Sequence, residues 1–97
     1  VHTAGTSSIN NLVVNENTFN NNGTGTVGSG LFLQREGSST FNATVTENEM
    51  SENLGDGWSI NVLGTAAPPM NVVSADNVYD QNSRSGTNFQ TSGSGVL

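Results

Sequence analysis

Cysteine and lysine are both missing from this 97-residue chain. Without cysteine there are no disulfides and no thiolate metal sites, and the redox compartment leaves no mark on the sequence. Without lysine the basic side chains reduce to Arg35, Arg84 and the single His2. Phosphate binding needs clustered cations, so neither nucleic acid nor an anionic membrane surface is an expected partner. Apolar residues are also scarce, at 32%, and charged ones make up only 10%. A compact two-layer domain usually needs more apolar material than that. No apolar run approaches the roughly 20 residues of a helical membrane span, so no membrane insertion is expected.

What the chain has instead is glycine, twelve in all, with abundant Ser, Thr and Asn and a net charge of -6. That composition alone reads as disorder. The order in which its apolar residues recur argues otherwise. Three stretches fall into register: LVVNENTFNNN from Leu12, ATVTENEMSEN from Ala43 and VVSADNVYDQN from Val72. An acid-Asn pair recurs at Glu16-Asn17, Glu47-Asn48 and Asp76-Asn77. Two residues on comes a large side chain, Phe19, Met50 or Tyr79, and three further another Asn, at Asn22, Asn53 and Asn82. A second block follows each: SGLFL from Ser29, DGWSI from Asp56 and SGTNF from Ser85, each with a glycine four residues beyond it. The period is 31 residues and then 29. Loops absorb the difference.

Within each repeat the spacing is that of strands. Leu12 with Val14, Phe41 with Ala43 and Val45, Leu31 with Leu33, and Trp58 with Ile60 all recur at every second position. Period two over four to six residues predicts half-buried strands. The Gly-, Asn- and Ser-rich segments between them suit tight corners. About three short strands per thirty-residue repeat describe an all-β solenoid, with equivalent residues stacked roughly 4.8 Å apart. The predicted inward columns are Leu12/Ala43/Val72, Val14/Val45/Ser74, Phe19/Met50/Tyr79, Leu31/Trp58/Thr87 and Leu33/Ile60/Phe89. The core is expected at Leu12, Val14, Phe19, Leu31, Leu33, Val45, Met50, Trp58, Ile60, Val72, Tyr79 and Phe89.

The run NLVVNENTFNNN…GSGLFL, followed by NATVTENEMSENLGDGWSI, resembles the repeat of pectate-lyase-like proteins across roughly residues 9 to 93. The resemblance implies a right-handed parallel β-helix of about three coils, 9–41, 42–69 and 70–97, with 1–8 belonging to a preceding coil. It also implies that asparagines at the corners point inward and hydrogen-bond along the stack, a role that Asn17, Asn48 and Asn77 match by position. About function it is nearly silent, because lyases, hydrolases, epimerases, adhesins and tailspikes share the fold.

Each apparent functional signal has a plain alternative. GTGTVG, from Gly23 to Gly28, formally matches a dinucleotide fingerprint, but no apolar strand precedes it and no helix opens after it. An enlarged loop is the better reading. Glu16, Glu47 and Asp76 share one column, where stacked carboxylates attract a hard cation such as calcium or stay hydrated at exposed corners. Hydration is the favoured reading, and Glu52, Asp56 and Asp80 offer a second such group. The basic residue beside acid-bound calcium used by lyases of the resembled family is not found, nor are the Asp-Asp and Arg-Lys motifs of its hydrolases. Pairs such as Glu47 with Glu49, or Asp76 with Asp80, are what any acidic solenoid offers. Phe32 is the expected outward aromatic. Asn22-Gly-Thr and Asn42-Ala-Thr are formal glycosylation sequons.

The expectation is therefore a structural, extracellular or cell-surface solenoid module with neither a catalytic centre nor a cofactor. Val1 to Thr3 is expected near the Leu33 and Ile60 column, and Val96 and Leu97 near the start of the Phe41 and Met70 strand. The module would stack head to tail on itself or continue into flanking coils of a longer rod. The alternative is a carbohydrate-binding or polysaccharide-degrading fragment, with Glu47, Asp76 and Phe32 as its surface.

Overall fold

A computed structural model describes residues 1–24, 28–64 and 70–93. Nine strands form among these residues: β1 (His2–Thr3), β2 (Ser8–Asn15), β3 (Leu31–Glu36), β4 (Thr40–Thr46), β5 (Glu49–Ser51), β6 (Trp58–Gly64), β7 (Met70–Ala75), β8 (Val78–Asp80) and β9 (Thr87–Gly93). Among the described residues there is no helix. The protein is all-β, and every strand pair is parallel.

Strands adjacent in sequence never pair with each other. Sheet one runs β1-β3-β6-β9, sheet two β2-β4-β7 and sheet three β5-β8, extended by a parallel bridge from Thr18 to Glu49. The chain thus visits the three sheets in a fixed order and adds one strand to each per repeat. Register places Leu12 on Ala43 and Ala43 on Val72, Leu31 on Trp58, Leu33 on Ile60 and Ile60 on Phe89. The first sheet-two pair contains a bulge between Ile9 and Leu12, where an extra residue is accommodated. The cross-section is 35 × 26 Å and the third dimension 16 Å. Four strands at about 4.8 Å spacing account for that thickness, so the molecule is a short stack with two broad end faces.

The core runs through the middle layer. Leu33, Phe41, Val45, Met50, Trp58, Ile60, Val62 and Met70 are wholly buried, and Leu31 and Ala43 nearly so. Leu12, Val14, Phe19, Val72 and Tyr79 are partly buried and packed against this cluster, because each lies in an outer layer with a neighbour on one side only. Phe89 departs from the expected core: it is 52% exposed. It has the inward parity, but β9 is the outermost described strand of sheet one. Its ring is therefore covered on one side, where it meets Trp58 edge to face with centroids 5.5 Å apart. Each wholly buried large side chain contributes about 1.5–3 kcal/mol. Trp58 must exceed a cost as well, since its indole N–H meets no acceptor among the described residues.

Thr3, Arg35 and Val62 form a further buried column, which Thr91 continues as an exposed residue of β9. Arg35 is wholly buried and donates through Nη1 to the Gly37 carbonyl at 3.1 Å. A polar stretch, QRE, conceals that parity in the sequence.

Gly57 is required by space and not by conformation. A Cβ there would stand 2.7 Å from the Gly86 carbonyl oxygen and 2.8 Å from Asn82 Nδ2. Gly57→Ala is expected to destabilise the fold by about 1–3 kcal/mol through overpacking. Gly5→Ala, where a Cβ meets nothing within 4 Å, should cost only the left-handed backbone penalty of roughly 1 kcal/mol. Urea denaturation midpoints of the two variants check this difference.

Candidate functional site

Two columns of asparagine run the length of the stack. In the first, the Asn17 backbone N–H and Nδ2 donate to Asn48 Oδ1 at 3.0 and 3.2 Å. Asn48 repeats this onto Asn77 Oδ1 at 3.0 and 2.9 Å. The remaining Asn48 Nδ2 capacity goes to the Val14 and Thr46 carbonyls. In the second column Asn22 donates to Asn53 Oδ1, and Asn53 to Asn82 Oδ1, through the same pair of atoms. Asn53 Nδ2 also donates to the Phe19 carbonyl, and Asn82 Nδ2 to that of Met50. Asn48 and Asn53 are buried, whereas Asn17 is exposed. The Asn22/Asn53/Asn82 recurrence was visible in the sequence, but nothing there said that it bonds as the first column does.

Each column starts beside a corner. Glu16, Glu47 and Asp76 have φ of 54°, 57° and 55°, and Asn21, Glu52 and Gln81 have φ of 57°, 56° and 51°. The third corner is glycine throughout, at Gly5, Gly37, Gly64 and Gly93. Six non-glycine residues in the left-handed region carry a cost of about 1–2 kcal/mol each. The Asn that follows Glu16, Glu47 or Asp76 turns inward and offsets it. The stacked acids are exposed corner residues. Among the described residues no three His, Asp or Glu converge in a way that could hold a metal ion. The positive φ of Glu16, Glu47 and Asp76 gives the acidic column a conformational place at the corner.

Asp56 is the one buried acid, with 3% of its surface exposed. Its Oδ2 accepts from Ser59 Oγ at 2.9 Å and Asn88 Nδ2 at 3.0 Å, and its Oδ1 accepts from the Ser85 N–H at 3.1 Å. Arg84 Nε lies 4.0 Å from Oδ1. Burial pushes its pKa up, but hydrogen bonds from Asn88, Ser85 and Ser59, with the Arg84 charge, outweigh that and hold it below the usual value. Asp56 ties the middle layer to the last one.

The other candidates do not converge. His2 lies on β1, with Nε2 3.2 Å from Glu36 Oε2, both side chains being about half exposed. The Ser59-Asp56 pair contains a hydroxyl and a carboxylate, but no imidazole joins it. Glu47, Glu49, Asp76 and Asp80 are all exposed, and Glu49 Oε1 accepts from Asn20 Nδ2 at 2.8 Å. Phe32 is 41% exposed and Trp58 wholly buried. In the sequons, Asn22 Nδ2 is engaged by Asn53 and Asn42 Oδ1 accepts from Asn71 Nδ2. Gly28 of the GTGTVG run leads into β3, and its carbonyl accepts from the Gly55 N–H. Residues 25–27 of that run lie outside the described residues, as do Val96 and Leu97. One cavity of about 490 Å³ opens on the β7/β9 end face, lined by Ile60, Met70, Val72, Ser74 and Phe89. No protein-family model, curated protein or solved structure matches the chain.

Asn48→Ala orphans partners in all three layers and is expected to cost about 2–4 kcal/mol, against about 1 kcal/mol or less for the exposed Asn17→Ala. Thermal or urea unfolding of both variants measures the contrast. The depressed pKa of Asp56 stabilises the fold above the unfolded value of roughly 3.9, and that stabilisation is lost as pH falls through the folded value. Asp56→Asn should therefore be less stable than the parent at neutral pH, the gap closing progressively below about pH 5. A constant gap from neutral to acid pH would show that the charge contributes nothing.

Proposed function

We propose that this chain is a structural module, a right-handed parallel β-solenoid of about three coils that presents a rod-like surface outside the cell. One observation carries the reading. The most conspicuous recurring side chains, the two asparagine columns, spend their hydrogen bonds on the layers above and below. They are aimed at the next repeat and not at a ligand. The fixed order of the three sheets supports the solenoid path, and the pectate-lyase-like repeat pattern supports its hand. The lack of lysine and cysteine and the acidic surface suit an extracellular setting. Stacking on a like module, or continuation into further coils, gives such an element its length.

The test is a polysaccharide panel, neutral and acidic, with and without calcium, read for binding and for release of reducing or unsaturated ends. No calcium-dependent binding and no turnover are expected. Glu47→Gly, which relieves a left-handed glutamate, should leave stability unchanged or raised by up to about 1 kcal/mol. Turnover of an acidic polysaccharide that Glu47→Gly abolishes would overturn the structural reading.

A further inference from the structure

Resting on the extracellular reading above, we propose that Asn42 is an acceptor for N-linked glycosylation and that the other sequon asparagine, Asn22, is not. Both sequences have the form Asn-X-Thr, Asn22-Gly23-Thr24 and Asn42-Ala43-Thr44. Outside the cytosol such a sequence can take a sugar on the asparagine amide, provided the product leaves that amide in solvent. On β4 the buried Ala43 separates Asn42 from Thr44, so both side chains share the outward face of sheet two, and both are partly exposed. β4 is the middle strand of its sheet, with a neighbour on each side to define that face.

The two amides differ in what they are free to do. Asn42 Oδ1 accepts from Asn71 Nδ2 at 2.9 Å, which holds the amide by its oxygen. Among the described residues Asn42 Nδ2 donates to nothing. Opposite Asn42 in the layer above lies the bulge of β2, where Asn10 and Asn11, both exposed, stand against one residue. Asn22 is the reverse case. Its backbone N–H and its Nδ2 both donate to Oδ1 of the buried Asn53, at 3.0 Å each. A sugar on that nitrogen would pull the amide out of its column. The surroundings of Asn42 also give a sugar something to do. Sheet two carries no charged residue in any of its three strands, although the chain has a net charge of -6. Val13 and Val73 flank Thr44 on this face and are 60% and 62% exposed. A hydrated glycan on Asn42 covers apolar surface that no charge protects.

In the transfer, Asn42 Nδ2 gives a proton to a base of the transferase and bonds to the anomeric carbon of an oligosaccharide carried on a polyprenyl diphosphate. The bond from that carbon to the phosphate oxygen breaks, and the lipid diphosphate leaves. Asn42 keeps its carbonyl oxygen, so the hydrogen bond from Asn71 survives. The test is secretion of the chain from cells that carry such a transferase. Intact mass counts the glycans, and amidase release in heavy-oxygen water labels each asparagine that carried one. A glycan on Asn42 is expected, with Asn22 bare or the minor site. Asn42→Gln and Thr44→Val should each lose it, and Thr44→Ser should keep it, because the hydroxyl is what the transferase reads. All three should unfold at the parent's urea midpoint. A secreted, folded chain that is bare at Asn42, or that carries its sugar chiefly on Asn22, overturns the assignment. Hydrogen exchange tells that failure from failure of the scaffold reading. Protected Asn48 and Asn53 amides in a bare chain leave the scaffold standing without the glycan, and unprotected ones remove both.

Discussion

A layer of this protein cannot satisfy its own polar groups. The strands of any one repeat pair only with strands of the repeats before and after it, 27 to 32 residues away. The same holds for side chains: Asn48 bonds upward to Asn17 and the Val14 carbonyl, and downward to Asn77. A buried amide without its partner costs about 1–3 kcal/mol. Isolating one layer would orphan a dozen or more groups at once, so stability belongs to neighbouring pairs of layers and not to the layer. The gradient of burial follows directly: Met50 in the middle is wholly buried, while its column neighbours Phe19 and Tyr79 are only partly so.

That constraint explains how so polar a chain folds. An asparagine side chain carries the same donor and acceptor as a peptide group, so an inward column extends the parallel ladder around a corner where the backbone has left the strand. The interior therefore needs less hydrocarbon. The corners need backbones in the left-handed region, and glycine supplies only one of the three per layer. At the other two, acids and amides accept the strain and hand the next position to an inward Asn. Acid and Asn are one device: a strained exposed residue that aims a satisfied buried one.

The architecture was legible because its two periodicities are independent of each other. Alternation at every second residue marks strands whatever their partners, and recurrence near thirty marks partners whatever the local structure. What stayed hidden is what neither period encodes. Arg35 and Val62 point inward, but the run QRE shows no apolar alternation. Asp56 stands in a column with Ser29 and Ser85, and its burial depends on Ser59 and Asn88 lying within reach. The exposure of Phe89 is a matter of its place at the rim of the stack, which parity cannot report. The acidic column drew attention as a cation site because sequence gives charge and position but not φ. Once the backbone angle is known, the position is conformational.

Charge works against this stacking of layers. Corner carboxylates in adjacent layers, roughly 5–10 Å apart and facing water, repel by about 0.4–0.8 kcal/mol per pair. Salt at physiological strength screens much of that. Against it, each added layer gains two Asn-to-Asn links per column, at about 1 kcal/mol each, besides the strand pairing and the apolar contacts. The ladder outweighs the repulsion layer by layer. The balance holds only while the acids stay outside and the column between them stays neutral. An inward acid survives solely where, as at Asp56, several donors from the next layer converge on it.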